Sequence, residues 1–108
     1  MKLNIMERLM LLNMLPQKGD IVTLRTVNEY MQKIGLNEEE IKLYEIVQQE
    51  DGRIKWNSKY NDRTVDISFG DIITNIIANE LKEVDKKKEL TGNHMSLYEK
   101  FVEGKIGG

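Results

Sequence analysis

Residues 24–47 read LRTVNEYMQKIGLNEEEIKLYEIV, and this stretch decides the fold. Before Gly35, apolar side chains recur at spacings of three and four residues, which predicts an amphipathic helix that begins at a Thr23 cap. Gly35 predicts a left-handed stop, and Asn37 followed three residues later by Glu40 has the spacing of a capping box. The stretch therefore predicts two helices joined by a very short turn.

The segment before this pair predicts a strongly apolar first helix. Residues 3–15 place apolar side chains on nearly the whole circumference of a helix that Pro16 must end. Such a helix is buried on several sides, and a chain of 108 residues has few elements to cover it. We therefore expect a second copy of the chain to cover part of it, with Leu11 and Leu12 in the interface of a homo-oligomer.

The segment after the pair predicts two strands and then two more helices. Residues 54–56 and 65–69 alternate apolar and polar side chains, which predicts a β-hairpin with a polar loop over residues 57–63. Helical spacing returns at Asp71 for the longest helix, and a short final helix follows. The predicted fold class is α+β and mainly helical, with about five helices and one β-hairpin between helix 3 and helix 4, which is a winged-helix-like order.

Composition and charge exclude several kinds of chemistry. The chain has a formal net charge of −2, no cysteine and one histidine, so thiol nucleophiles, cysteine-ligated metals and multi-histidine sites are excluded. His94 has no identifiable carboxylate that would orient it as a general base, so we interpret it as structural or solvent-facing. We expect no enzyme activity, no cofactor and no metal, in one compact domain over residues 1–103 with a flexible Gly-rich tail over residues 104–108.

The acidic third helix and the polar hairpin loop form the candidate partner-binding surface. Residues 37–52 hold six acidic side chains against one basic side chain, and the loop lies close by in sequence. Because both segments are polar and are joined through Gly52, we expect them to share one surface. Binding residues concentrate on loops and exposed faces of this kind. Carboxylates there would attract a basic partner, or they would only solvate the helix and favour its positive end. The candidate residues are Glu38, Glu39, Glu45, Tyr60 and Arg63.

A winged-helix DNA-binding regulator is the alternative function. Residues 38–44 would then enter the major groove, and residues 53–69 would form the wing. The acidic helix repels phosphate, however, and Met31 stands where steep helix packing prefers Ala or Gly. We therefore expect that nucleic acid is not the partner. The phosphate contacts would have to come from Arg53, Lys55, Lys59 and Arg63.

Both ends of the chain resemble a group of phage proteins. The opening MERLMLLNMLP at residues 6–16 is similar to the start of small uncharacterised proteins of tailed phages and prophages, and LTGNHMSLYEKFV at residues 90–102 is similar to their end. The resemblance implies no catalytic residue. It implies an accessory protein, made inside a bacterial host cell, that binds a host or phage protein.

Location follows from two absences in the sequence. No stretch reaches the roughly 18 apolar residues that a membrane span needs, and the first eight residues contain a charge pair and no small-residue cleavage site. We expect a cytoplasmic protein without a membrane partner. The expected function is that of a non-enzymatic phage or prophage accessory protein that acts by protein–protein binding as an oligomer.

Overall fold

A computed structural model describes residues 1–104, within which there are five helices and four short strands. The hairpin between the third and fourth helices confirms the mainly helical α+β class. Gly104 is the only residue of the predicted tail that is described; the rest lies outside the described residues. In chain order the elements are β1 (Lys2–Asn4), α1 (Ile5–Met14), α2 (Ile21–Ile34), α3 (Glu38–Leu43), β2 (Val47–Gln48), β3 (Ile54–Lys55), a 3-10 turn (Ser58–Tyr60), β4 (Thr64–Asp66), α4 (Asp71–Lys86) and α5 (Gly92–Phe101).

The core lies where α1, α2, α4 and α5 pack together. Helix α4 shows why the sequence folds this way, because Ile73, Ile77 and Leu81 recur every four residues and are fully buried on one face. Phe69 completes the core between two other rings, stacked on Tyr30 at 5.5 Å and edge-to-face with Phe101 at 5.1 Å. The four helices thus share one apolar centre.

Helix α1 is covered by its own chain. Helices α2, α4 and α5 all pack against it, and Leu11 is 0% exposed within the core. Leu11 therefore lies in the core and not on an interface, which corrects the expectation that it contacts a second copy. Leu12 is half-buried and packs against the same core. The physical reason is that three neighbouring helices bury the side of α1 that carries Leu11, while apolar side chains such as Leu9 and Met10 stay half-buried.

The strands pair differently from the predicted hairpin. Strand β3 pairs with β2, with Lys55 opposite Val47, and β4 pairs instead with β1, with Val65 opposite Leu3. Strand β1 takes residues that the apolar pattern assigned to the first helix, because Asn4 caps α1 and so fixes its start. The partner of a strand depends on long-range packing, which alternation along one segment does not reveal.

The starts of α2 and α5 are fixed by side-chain caps. The Asp20 carboxylate accepts the backbone N–H of Thr23 at 2.7 Å, and this hydrogen bond lowers the pKa of Asp20. Asp20, and not Thr23 as predicted, is therefore the cap of α2. At α5, the ring Nδ1 of His94 accepts the backbone N–H of Thr91 at 2.9 Å, which gives His94 a structural role.

The turn between α2 and α3 is as short as predicted, but its glycine acts by a different mechanism. Gly35 has a φ of −60° and is not left-handed. A Cβ at Gly35 would lie 2.9 Å from the carbonyl oxygen of Met31, so glycine is needed for the close approach of the backbone. The predicted capping box is present, since Asn37 Oδ1 accepts the N–H of Glu40 at 2.8 Å and Glu40 Oε1 accepts the N–H of Asn37 at 3.2 Å.

Arg8 joins α1 to this turn from inside the protein. Arg8 is 3% exposed, and it donates from Nε to the carbonyl of Ile34 at 2.9 Å and from Nη2 to the carbonyl of Gly35 at 2.8 Å. Both oxygens of the Glu40 carboxylate accept from the same guanidinium, at 2.6 and 3.0 Å. A buried charge is tolerated only when it is paired and hydrogen-bonded, and Arg8 meets both conditions.

Glu7 joins the other side of α1 to α5. Glu7 is also 3% exposed, and its two carboxylate oxygens accept from Nζ of Lys100 at 3.0 and 2.8 Å. The same ammonium donates to the carbonyl of Lys2 at 2.8 Å, and Glu7 accepts the N–H of Asn4 at 3.0 Å. Two adjacent charged residues of α1 therefore connect this helix to the α2–α3 turn, through Arg8, and to α5, through Glu7.

The ion pair between Arg8 and Glu40 predicts a loss of stability in acid. Hydrogen bonds from Arg8 lower the pKa of Glu40 below its ordinary value of 4.5 and outweigh the opposing effect of burial. A carboxylate with a lowered folded-state pKa stabilises the fold above its unfolded-state pKa, and this contribution is lost as the pH falls through the folded-state value. Glu40→Gln should therefore be less stable than the wild type at about pH 7, and its free energy of unfolding should fall less between about pH 4.5 and pH 3.

Urea denaturation across this pH range measures the effect, with Glu39→Gln as the control because Glu39 is an exposed neighbour on the same helix. The control should follow the wild type. Parallel pH curves for the wild type and Glu40→Gln would contradict the prediction.

Candidate protein-binding surface

Helix α3, the β2–β3 hairpin and residues 57–63 adjoin one another, and we call the surface that they form the hairpin surface. The backbone N–H of Asn57 donates to the carbonyl of Tyr44 at 2.9 Å, and the Asn57 side chain donates to the Glu45 carboxylate. The rings of Tyr44 and Tyr60 lie 5.2 Å apart. The structure thus brings the acidic segment and the polar loop together, which is the juxtaposition that their closeness in sequence predicted.

The hairpin exposes an apolar side chain on each of its two faces. Val47 is 59% exposed and Ile54 is 40% exposed. Val47 lies opposite Lys55 while Ile54 lies opposite Gln48, so the two apolar side chains point to opposite faces of the ribbon. All four strand residues are exposed, which means that the hairpin projects from the helical body.

Both edges of the hairpin carry backbone groups that point away from it. The N–H of Gln49 donates to the carbonyl of Arg53 at 2.7 Å, which makes this a hydrogen-bonded pair. Such pairs alternate along an antiparallel ladder, so the N–H and C=O groups of Gln48 and Ile54 face outward. Within residues 1–104 no third strand joins either edge, and an open edge is a template for a strand of another chain.

The acidic candidates occupy two places on this surface. Glu38 and Glu39 are exposed in the first turn of α3, where their charge also favours the positive end of the helix. Glu45 follows the helix with a φ of 57°, is exposed, and holds the Asn57 side chain. Glu40 is different, because it faces inward to Arg8. Only part of the acidic segment is therefore available to a partner.

Tyr60 and Arg63 lie together at the other end of the surface. Tyr60 is half-buried against Tyr44, and two cations lie over its ring, with Lys59 Nζ at 5.1 Å and Arg63 Cζ at 5.5 Å from the centroid. Arg63 itself is exposed. The surface is therefore acidic at α3 and basic beside Tyr60.

Val47 and Ile54 were not among the predicted site residues. Val47 lies in the stretch of residues 24–47 over which the sequence predicts helices, and Ile54 lies in a predicted strand. A signal was present at Gly52, which has a φ of 86° in the turn between β2 and β3. The Gln49–Arg53 hydrogen bond closes a three-residue loop over residues 50–52. A glycine with a positive φ in such a loop is typical of a hairpin turn, so strands on both sides of Gly52 were predictable.

The geometry gives little support to a DNA-binding helix. Helix α3 has six residues, none of them buried, and its exposed charges include Glu38 and Glu39. Arg53, one of the cations that would contact phosphate from the wing, lies 3.3 Å from the carboxylate of Asp51. The carboxylate of Asp51 reduces the positive potential that Arg53 would offer to a phosphate.

Among residues 1–104 no helix is long and apolar enough to cross a membrane. The same residues hold no group of three or more acidic or histidine side chains placed to bind a metal ion. A scan against protein-family models and searches of curated proteins and of solved structures return no match.

The acidic α3 predicts that the protein does not retard duplex DNA in a gel-shift assay at about 50 mM salt, where phosphate contacts are strongest. Lys59→Glu combined with Arg63→Glu serves as the matched variant, because these are the cations that lie beside Tyr60. A retarded complex that this variant abolishes would overturn the prediction and favour the winged-helix alternative.

Proposed function

We propose that the protein is a non-enzymatic binding module that takes a partner protein on the hairpin surface. The observation that carries the proposal is the projecting hairpin with Val47 and Ile54 exposed on opposite faces. Burial of apolar surface is favourable by about 25 cal/mol per Å², so contact of a partner with these side chains makes the free energy of binding more favourable. A two-stranded hairpin is marginal by itself, and a bound strand would stabilise it.

Strand addition is the binding mode that this geometry favours. The outward N–H and C=O groups of Gln48 on one edge, or those of Ile54 on the other edge, supply hydrogen bonds for an extended segment of the partner. The apolar side chains on either side of the ribbon supply the contacts that select it. Two further apolar side chains on α3 extend the surface, since Ile41 is 41% and Leu43 is 47% exposed.

The charges of the surface indicate what kind of partner fits. Glu38 and Glu39 attract a partner whose binding segment has a basic end, which raises the association rate in a salt-dependent way. Arg63 and Lys59 at the other end disfavour a uniformly basic partner. The favoured partner therefore presents an apolar strand with a basic flank on one side.

The resemblance of both chain ends to small phage and prophage proteins supplies the biological setting of the proposal. The partner is then a host or phage protein, and the protein acts in the cytoplasm of a bacterial host cell. A second copy of this chain is the homo-oligomer case of the same proposal, since each copy carries an open hairpin edge together with acidic and basic ends.

Hairpin variants test the proposal by capture from a bacterial lysate. The bait Val47→Ser with Ile54→Ser should lose a partner that the wild-type bait retains, with affinity reduced at least about tenfold. Ile72→Ser with Met95→Ser is the matched control, because these two apolar side chains are 55% and 60% exposed outside the hairpin surface. The control should retain the partner.

Far-ultraviolet circular dichroism verifies that both double variants keep their helices, and sedimentation of the wild type with and without the hairpin substitutions tests the homo-oligomer case. Binding that is equal for the hairpin variant and the control would contradict the proposal, as would a wild-type bait that binds no protein and sediments as a monomer.

A further inference from the structure

A cleft of about 310 Å³ lies where the start of α1, the start of α5 and the loop that follows β3 meet. We call it the Trp56 cleft. Sites for small molecules begin at about this size, so the cleft has room for one ring and its substituents. The side chains that matter for its chemistry are Asn4, Glu7, Trp56, Asn61, Asn93 and Ser96.

Neutral polar groups with unused hydrogen-bonding capacity line the Trp56 cleft. Asn4 uses its carbonyl oxygen to accept the N–H of Glu7 at 2.8 Å, and Asn61 uses its own to accept from Trp56 Nε1 at 2.7 Å. Within residues 1–104, no protein atom accepts from the NH₂ groups of these two amides, and the side chains of Asn93 and Ser96 have no partner. Carboxamides and hydroxyls both donate and accept.

The aromatic wall of the cleft is held in place. Trp56 is half-buried, and the hydrogen bond from its Nε1 to Asn61 restricts rotation of the indole. An indole offers a large apolar face beside these polar groups. One apolar wall and a few polar groups are what a site for a small amphipathic molecule requires.

The described residues leave no uncompensated charge in the cleft. Among residues 1–104, Glu7 is the only ionisable side chain that lines it, and both of its carboxylate oxygens are bound by Lys100, at 3.0 and 2.8 Å. The ammonium of Lys100 is occupied by this contact and by the carbonyl of Lys2. Neither a cation nor a phosphate-bearing molecule finds an open counter-charge here, so the ligand that fits is neutral.

We propose that the Trp56 cleft binds one neutral sugar unit. The C–H face of the ring lies on Trp56, and its hydroxyls exchange hydrogen bonds with the side chains of Asn4, Asn61, Asn93 and Ser96. Neighbouring hydroxyls both donate and accept, as these side chains do. A nucleotide would stack equally well on the indole, but residues 1–104 place no free cation in the cleft to meet its phosphate charge. Asn61 belongs both to this cleft and to the hairpin surface, but the proposal does not rest on partner binding at the hairpin surface.

Intrinsic fluorescence reports on the site directly, because Trp56 is the single tryptophan of the chain. Purified full-length protein is titrated with glucose, galactose, mannose and N-acetylglucosamine. We expect a saturable change in emission with at least one of them, with a dissociation constant in the millimolar range. Asn93→Ala with Ser96→Ala should weaken this binding about tenfold, because two hydrogen bonds are lost.

Asn75→Ala on α4 is the control variant, since Asn75 is exposed and lies outside the cleft, and it should bind like the wild type. Asn93 and Ser96 are both exposed, so their replacement leaves the fold intact, which thermal unfolding verifies. The proposal is overturned by the absence of a saturable change with all four sugars up to about 100 mM, which lies well above a millimolar dissociation constant. It is also overturned by binding that the double variant does not alter, or by a response to adenosine with none to the sugars.

Discussion

The guanidinium of Arg8 is the contact on which the arrangement of the first half of the chain depends. A helix ends with carbonyl groups that have no partner in the helix, and Arg8 binds two of them at the end of α2, those of Ile34 and Gly35. It also binds the Glu40 carboxylate, which at the same time caps α3. The Arg8 side chain is 4% exposed and that of Glu40 is 17% exposed, so removal of either would leave the other charged and shielded from water.

This contact fixes the direction in which α3 leaves the helical body. The β2–β3 hairpin follows α3 directly, so the contact of Arg8 with α3 also determines where the hairpin surface lies. On the opposite side of α1, the pair of Glu7 and Lys100 holds α5, and the Trp56 cleft lies beside that contact. The two candidate binding regions are therefore positioned by adjacent residues of one helix, while the apolar core supplies most of the stability.

The sequence predicted what is local and missed what is long-range. The spacing of apolar residues was sufficient for α2 and α4, and the capping box of Asn37 and Glu40 was predictable because it spans three residues. The pairing of β1 with β4 joins segments more than 60 residues apart, so neither pattern alone reveals it. Leu11 was wrongly assigned to an interface because the sequence shows how apolar the helix is but not which elements cover it. That coverage depends on the whole fold.

In the candidate site, too, the sequence predicted local features and missed contacts between distant residues. The closeness of the acidic segment and the loop was predictable because few residues separate them. Glu40 looked like its neighbours in sequence, yet it faces inward, since only the folded chain brings Arg8 to it. Ile54 was missed because alternation predicts a half-buried strand and does not show that nothing covers the strand, and Val47 was missed because it lies in the stretch that was predicted to be helical.

A double-mutant cycle tests most directly whether Arg8 and Glu40 hold α1 and α3 together. The free energy of unfolding is measured by urea denaturation for the wild type, Arg8→Met, Glu40→Gln and the double variant at neutral pH. Glu40→Gln should cost about 3–5 kcal/mol, because it leaves the buried charge of Arg8 without its partner. Arg8→Met should also destabilise the fold, because the carbonyls of Ile34 and Gly35 lose their donor. The double variant should cost less than the sum by about 1–3 kcal/mol, the range for residues in direct contact. If the losses in free energy of unfolding of the two single variants simply add in the double variant, Arg8 and Glu40 do not hold α1 and α3 together.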